Sequence, residues 1–106
     1  MTTMTIDMTV RPEKSRELLI TLHELVEEMK KVHGFLDAHI RTESMHPNKV
    51  TFIEHWGTQG NIDAYMASDD FAILRGAMKV LTISHEITFS SGSDQNAAAS
   101  ECAEYA

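Results

Sequence analysis

The chain has 106 residues, 42% of them hydrophobic and 24% charged, which is the composition of one globular domain with a modest core. Its 9 basic and 16 acidic residues give a formal net charge of −7, which argues against nucleic acid and anionic membranes as partners. The single cysteine, the missing zinc-type Cys/His spacing and the lack of a membrane-spanning or signal-like apolar run lead us to expect a cytoplasmic protein.

The first two predicted elements are a strand and a long helix. Residues 2–10 alternate polar and apolar side chains, a period of two that predicts a half-buried strand. Pro12 ends this strand, since proline has no N–H to donate but suits the first turn of a helix. From Glu13 to Val32 the apolar residues recur at steps of three and four, which predicts an amphipathic helix that closes at Gly34.

A predicted hairpin follows this helix. Residues 36–42 and 50–56 both alternate, and the polar segment between them contains turn-forming residues. A register in which paired residue numbers sum to 94 sets His39 opposite His55. A register shifted by one residue sets His39 opposite Glu54 instead.

Two helices and a fourth strand complete the predicted elements. A glycine-rich break and a short helix come first, and Ser68 is placed to cap a second helix. The apolar residues of that helix recur at steps of three and four: Phe71, Leu74, Met78 and Leu81. Residues 82–90 alternate and predict a strand. Residues 91–106 form a small polar tail, which we expect to rest on another surface, with a partner subunit as one candidate.

The order β-α-β-β-α-β predicts an α+β, ferredoxin-like domain over residues 1–90, with a four-stranded antiparallel sheet and its helices on one face. The third strand carries Val50, Phe52 and Trp56 on one face and Ile53 on the other. From this pattern we infer that the face without helices is too aliphatic to meet water. Two sheets would then pack face to face in a homodimer.

Three segments carry a resemblance to a known family: residues 33–36 (HGFL), 54–56 (EHW) and 62–71 (IDAYMASDDF). In these segments the chain resembles the antibiotic biosynthesis monooxygenase (ABM) superfamily of dimeric α+β barrels, over about residues 4 to 90. The resemblance implies a dimeric α+β barrel that acts on a small molecule. The haem-degrading members are set apart, because their axial histidine and strand asparagine correspond to Arg75 and Ile6, which cannot ligate iron.

The resemblance implies a cofactor-independent monooxygenase for a small aromatic or quinol-like molecule, in which the substrate anion itself reduces oxygen. One alternative is a non-catalytic dimer that only binds a small ligand. Another is an isomerase of a small carbonyl metabolite, which the acidic charge balance disfavours.

Candidate site residues follow from these expectations. The expected catalytic groups are His55, Tyr65 and His39, with a strand histidine as the proton acceptor. The expected substrate-binding residues are Trp56, Phe71, Asn61 and Arg75, which supply an aromatic floor and polar contacts. Asn61 could equally start a helix, and Arg75 could form a surface ion pair. A transition metal would need three ligand side chains from the strands on one face and within coordination distance of one another. We expect the strand histidines to be hydrogen-bonded or to lie at an interface instead, and therefore expect neither a metal nor another cofactor.

Glu54 shares a predicted face with Phe52 and Trp56, where an unpaired carboxylate is costly. Either it pairs with Arg41, Arg75 or a base from a partner subunit, or it serves as an acid/base group in a cavity. Of these two interpretations we favour the ion pair.

Overall fold

The computed structural model of the protein describes residues 1–91. Its elements, in chain order, are β1 (Thr2–Val10), a 3-10 turn (Pro12–Lys14), α1 (Ser15–Met29), β2 (Phe35–Thr42), β3 (Lys49–Trp56), α2 (Gln59–Met66), α3 (Asp69–Leu81) and β4 (Thr82–Ser90). The four strands form one antiparallel sheet in the order β2-β3-β1-β4. The predicted α+β, ferredoxin-like fold is confirmed. The predicted tail lies outside the described residues except for Ser91.

The core lies between the helices and one face of the sheet, which we call the helix side. Strand β1 alternates as predicted, and its even-numbered apolar residues, Met4, Ile6, Met8 and Val10, are all buried there. Helices α1 and α3 cover them with the predicted stripes, Leu18, Leu22, Leu25 and Met29 from α1 and Phe71, Leu74, Met78 and Leu81 from α3. No helix of residues 1–91 has the length and apolar character needed to cross a membrane.

Helix α1 ends at Met29, three residues before the predicted end at Val32. The chain then turns toward β2 and passes through Gly34, which has a φ of +89°. Glycine is required here for two reasons, because L side chains rarely adopt that φ and because a Cβ atom would overlap the side-chain amide of Asn61. This contact brings the start of β2 against the start of α2.

Both registers predicted for the hairpin are wrong. Paired residues of β2 and β3 sum to 92 over most of their length, so that His39 faces Ile53 and Asp37 faces His55. A bulge between Phe35 and Asp37 shifts the pairing at the end of the hairpin. The side-chain period of two distinguishes registers one residue apart but not two apart, and therefore the pattern alone could not select 92 over 94.

The inference that the open face, opposite the helix side, is aliphatic is also wrong. Among the paired residues of the sheet, the side chains of the open face are Thr3, Thr5, Asp7, Thr9, Asp37, His39, Arg41, Lys49, Thr51, Ile53, His55, Ser84, Glu86, Thr88 and Ser90. Ile53 is the one aliphatic residue in that set. The apolar residues Ile87 and Phe89 of β4 pair instead with Ile6 and Met4 on the helix side. Any dimer has to be argued from features other than an apolar open face.

Candidate functional site

A carboxyl group lies buried on the helix side of the sheet. Glu54 and Trp56 are two residues apart on β3, so both side chains point to the helix side. Trp56 Nε1 donates a 3.0 Å hydrogen bond to Glu54 Oε1. Glu54 has no exposed surface, and its Oε2 has no hydrogen-bond partner among residues 1–91. One oxygen of this acid therefore accepts a hydrogen bond from an indole, and the other can still form a hydrogen bond.

Burial raises the pKa of Glu54 to about 8, although the hydrogen bond from Trp56 partly opposes this shift. Of the ion pairs that we favoured from the sequence, those with Arg41 and Arg75 are not formed, whereas pairing with a base from a partner subunit stays a prediction. Arg41 lies on the open face opposite Thr51, and Arg75 is exposed on α3. Glu54 is left as a carboxyl group that gains and loses its proton near neutral pH, as a general acid or base requires.

A chain of aromatic rings on the helix side includes Trp56, the hydrogen-bond partner of this acid. The Tyr65 ring, from α2, lies 4.9 Å from the Trp56 ring, with the two planes tilted by 31°. Phe71 and Phe35 each pack edge-on at 5.4 Å, Phe71 against Tyr65 and Phe35 against Trp56. These contacts make a continuous aromatic cluster of four rings beside Glu54.

The Tyr65 hydroxyl is a second buried polar group without a partner. Tyr65 is 1% exposed, and its hydroxyl has no hydrogen bond to any of residues 1–91. Its pKa is raised well above the ordinary value, first by burial and then by the nearby carboxyl groups of Glu54 and Asp70. Tyr65 is therefore a neutral hydrogen-bond donor at neutral pH.

Capping side chains fix where the two helices that carry these rings begin. Thr58 Oγ1 accepts from the backbone N–H of Asn61, 3.1 Å, and Asn61 Oδ1 accepts from the N–H of Thr58, 3.0 Å, which completes a capping box for α2. Ser68 Oγ accepts from the N–H of Phe71 at 3.3 Å and caps α3. The side chain of Asn61, expected to bind substrate or to start a helix, does the latter.

The remaining candidate residues lie apart from the acid. The Arg75 guanidinium carbon is 5.4 Å from the centroid of the Phe71 ring, on the outer surface of α3. His39 and His55 lie on the open face, so the sheet separates them from Tyr65. The seven predicted residues thus fall into separate places. Trp56, Tyr65 and Phe71 come together, and Glu54 is hydrogen-bonded to Trp56 at one end of this chain of rings.

The two strand histidines form a cluster of their own. Their rings meet edge-on with centroids 5.9 Å apart, and Asp37 lies beside both of them. Sequence reasoning missed Asp37. Its position two residues before His39 on a strand was the available signal, since residues i and i+2 share a face.

A polar cleft of about 450 Å³ lies on the open face, near the end of β1 that contains Asp7 and Thr9. Its side-chain walls include Asp7, Thr51 and Glu86, and Thr51 Oγ1 donates a 3.0 Å hydrogen bond to Asp7 Oδ1. The lining contains no Phe, Tyr or Trp. This cleft suits a planar aromatic ligand poorly, whereas the helix side contains the aromatic side chains that could contact one.

Comparisons with known proteins agree with the fold. The family model described as antibiotic biosynthesis monooxygenase matches residues 1–74. A search of curated protein sequences found no match. A conserved protein from Methanosarcina mazei Go1 is a similar solved structure, with 26% identity, a TM-score of 0.78, and coverage of 84% of this chain and 89% of that one.

Two further structures resemble the chain at the level of fold. One is described as an antibiotic biosynthesis monooxygenase, with 19% identity, a TM-score of 0.77, and coverage of 87% of this chain and 98% of that one. The other is a provisionally assigned antibiotic biosynthesis monooxygenase from Deinococcus radiodurans, with 18% identity, a TM-score of 0.80, and coverage of 87% and 92%.

Proposed function

The chain belongs to the antibiotic biosynthesis monooxygenase family, and from this premise we propose that it is a cofactor-independent monooxygenase of a small, quinol-like hydroxyaromatic molecule. The substrate binds on the helix side of the sheet, between β3 and the helices α2 and α3. Glu54 is the proton acceptor, Tyr65 donates a hydrogen bond to a substrate oxygen, and Trp56 and Phe71 contact the ring.

One observation carries this proposal: two buried polar atoms, Glu54 Oε2 and the Tyr65 hydroxyl, both lack a partner among residues 1–91 in the same aromatic cluster. Buried polar groups are nearly always hydrogen-bonded, and an exception calls for an explanation. A ligand with a polar oxygen on an aromatic ring would supply both missing partners and would stack on the surrounding rings. Opening of the helix layer is needed for such a ligand to enter.

The pKa of Glu54 suits the chemistry. A general base works best when its pKa lies near the working pH, and hydroxyaromatic molecules are weak acids that such a base can deprotonate when their anion is stabilised. In the keto tautomer of the substrate, loss of a proton from a ring CH₂ group gives a carbanion. This anion donates its electrons to O₂ and forms a C–O bond. Loss of water then leaves a ring carbonyl, so that CH₂ and O₂ give C=O and H₂O with no other reductant.

Glu54 replaces the strand histidines as the proton acceptor in this proposal. His39 and His55 are on the other side of the sheet from Tyr65 and Trp56, and could serve only a substrate bound on the open face. The aromatic contacts that would hold a planar substrate are all on the helix side.

Oxygen uptake tests the function. The purified protein is supplied with anthrone or menadiol in air, and an oxygen electrode follows consumption above the rate without protein. We expect turnover with at least one such compound, and a loss of about 100-fold or more in Glu54→Gln. Glu24→Gln, at an exposed carboxyl group on α1, is the matched control and should keep the full rate.

Three results would count against this assignment. Equal rates in Glu54→Gln and the parent protein would remove Glu54 as the base. Thermal stabilisation by the compounds without any oxygen uptake would indicate a binding protein, and product formation without oxygen would indicate an isomerase.

We further propose that the protein is a cytoplasmic homodimer whose residues 1–90 form the domain and whose residues 91–106 form a tail. Edge strand β4 supports the dimer, since two of its apolar residues are exposed, Ile83 to 60% and Phe89 to 45%. The lone cysteine of the chain fits a reducing compartment. Light scattering at micromolar concentration should give twice the chain mass, and a monomer would contradict the proposed assembly.

A further inference from the structure

Three potential metal ligands converge on the open face of the sheet. The carboxylate of Asp37 and the imidazoles of His39 and His55 each offer one atom, and these atoms all lie within 4.8 Å of one another. Asp37 Oδ1 is 3.8 Å from His39 Nε2 and 3.7 Å from His55 Nε2. These separations are too long for hydrogen bonds, and ligands around one metal ion at bonds of about 2.1 Å lie roughly 3.4 Å apart.

The sheet itself holds the three groups together. Asp37 and His39 are two residues apart on β2 and so share the open face, and the register sets Asp37 directly opposite His55. All three therefore project from hydrogen-bonded strands and not from loops. A site on such elements needs only small side-chain rotations to close around an ion, because the backbone positions are already fixed.

A neighbouring hydroxyl orients one of the imidazoles. Thr3 Oγ1, on β1, lies 2.9 Å from His55 Nδ1, and Thr3 is only 6% exposed. When Nδ1–H donates to this hydroxyl, Nε2 carries the lone pair and points toward Asp37. A lone pair and a carboxylate oxygen that face each other across 3.7 Å repel. A cation bound between them would attract both atoms and so replace this repulsion with a favourable interaction.

From this geometry we propose that Asp37, His39 and His55 bind a divalent first-row transition-metal ion, with water completing its coordination. Two imidazoles and one carboxylate favour zinc and its neighbours over calcium or magnesium, which prefer oxygen ligands alone. The site lies on the opposite side of the sheet from Glu54. It therefore does not depend on the proposed oxygenase function, and the metal would not touch that substrate.

Zinc binding by the whole chain tests the proposal. The protein carries Cys102→Ala, which removes its single thiol as a competing ligand, and is treated with EDTA, desalted and titrated with ZnCl₂ in a calorimeter. We expect one saturable site per chain. His39→Gln, His55→Gln and Asp37→Asn should each weaken it at least tenfold, while His23→Gln, at an exposed histidine on α1, should leave it unchanged.

Thr3 gives a separate readout as a positioning residue. Thr3→Val removes the hydroxyl and should weaken zinc binding by about tenfold, whereas Thr3→Ser restores the hydroxyl and should restore affinity. Circular dichroism checks that each variant is folded. Absorption of the Co²⁺ complex should show d–d bands that disappear in the His39→Gln, His55→Gln double variant.

Three results would overturn the site. They are the absence of saturable zinc binding in the parent, binding that persists in the double variant, and an equal loss of binding in His23→Gln. In each case the three side chains would be a polar cluster on the sheet and not a metal site.

Discussion

Trp56 Nε1 lies 3.0 Å from Glu54 Oε1 and donates to it, which couples the one tryptophan of the chain to a buried acid. The hydrogen bond stabilises the carboxylate form, but burial is the larger effect and holds the pKa at about 8. The ionisation of a single side chain can therefore be followed through the indole beside it.

Tryptophan fluorescence should titrate with Glu54. A carboxylate that accepts from the indole N–H changes the electrostatic field at the ring, so we expect the emission of the folded protein to shift with a midpoint near pH 8. Glu54→Gln should abolish the transition, because the amide does not ionise. A transition of the same midpoint in Glu54→Gln would assign it to another group.

The stability of the fold should fall as the pH rises. Below about pH 4.5 Glu54 is protonated in both the folded and the unfolded chain. Between about 4.5 and 8 the unfolded chain loses this proton while the folded chain keeps it, so the free energy of unfolding decreases by up to about 5 kcal/mol. Urea unfolding at pH 5 and pH 9 should show a smaller decrease in Glu54→Gln, and equal decreases would contradict the raised pKa.

Tyr65→Phe should separate stability from function. The hydroxyl is buried without a partner among residues 1–91, so its removal should leave the free energy of unfolding unchanged or raise it by about 1 kcal/mol. If the hydroxyl binds substrate as proposed, the same variant should raise KM or lower kcat by about tenfold or more. A clear loss of stability would reveal a hydrogen-bond partner for this hydroxyl.

Gly34→Ala should destabilise the protein by about 2 kcal/mol or more, through an unfavourable φ and through overlap with Asn61. Asn61→Gly in the same chain removes the overlap but not the backbone strain. Urea unfolding of both single variants and the double variant forms a mutant cycle. We expect favourable coupling between the two substitutions, and simple additivity would show that only φ matters at residue 34.

The fold could be predicted from the sequence because its elements have strong local signals. The alternation of residues 2–10, the stripe of α1 and the cap at Ser68 each reflect a period or a hydrogen bond within a few residues. The end of α1 was placed too late because Val32, which continues the apolar stripe, still packs on the core after the helix has ended at Met29. The contact of Gly34 with Asn61 joins distant segments and has no sequence signature.

The candidate site could be predicted from the sequence only in part. That Glu54 and Trp56 share a face follows from the period of two. That neither Arg41 nor Arg75 pairs with Glu54 depends instead on which way Arg41 points and on the position of Arg75. The grouping of His39 and His55 with Tyr65 assumed one site where the sheet makes two. The cluster with Asp37 depends on a register that differs by two residues from the expected one, and alternation cannot resolve that difference.

The alternation of β3 has a consequence for how this protein can vary. In the run Glu54-His55-Trp56, the outer two side chains belong to the interior and the middle one to the opposite surface. Three adjacent codons thus determine side chains on two different sides of the sheet. Selection or protein engineering could retune the surface at residue 55 while the buried acid and its indole stay intact, and the reverse holds equally.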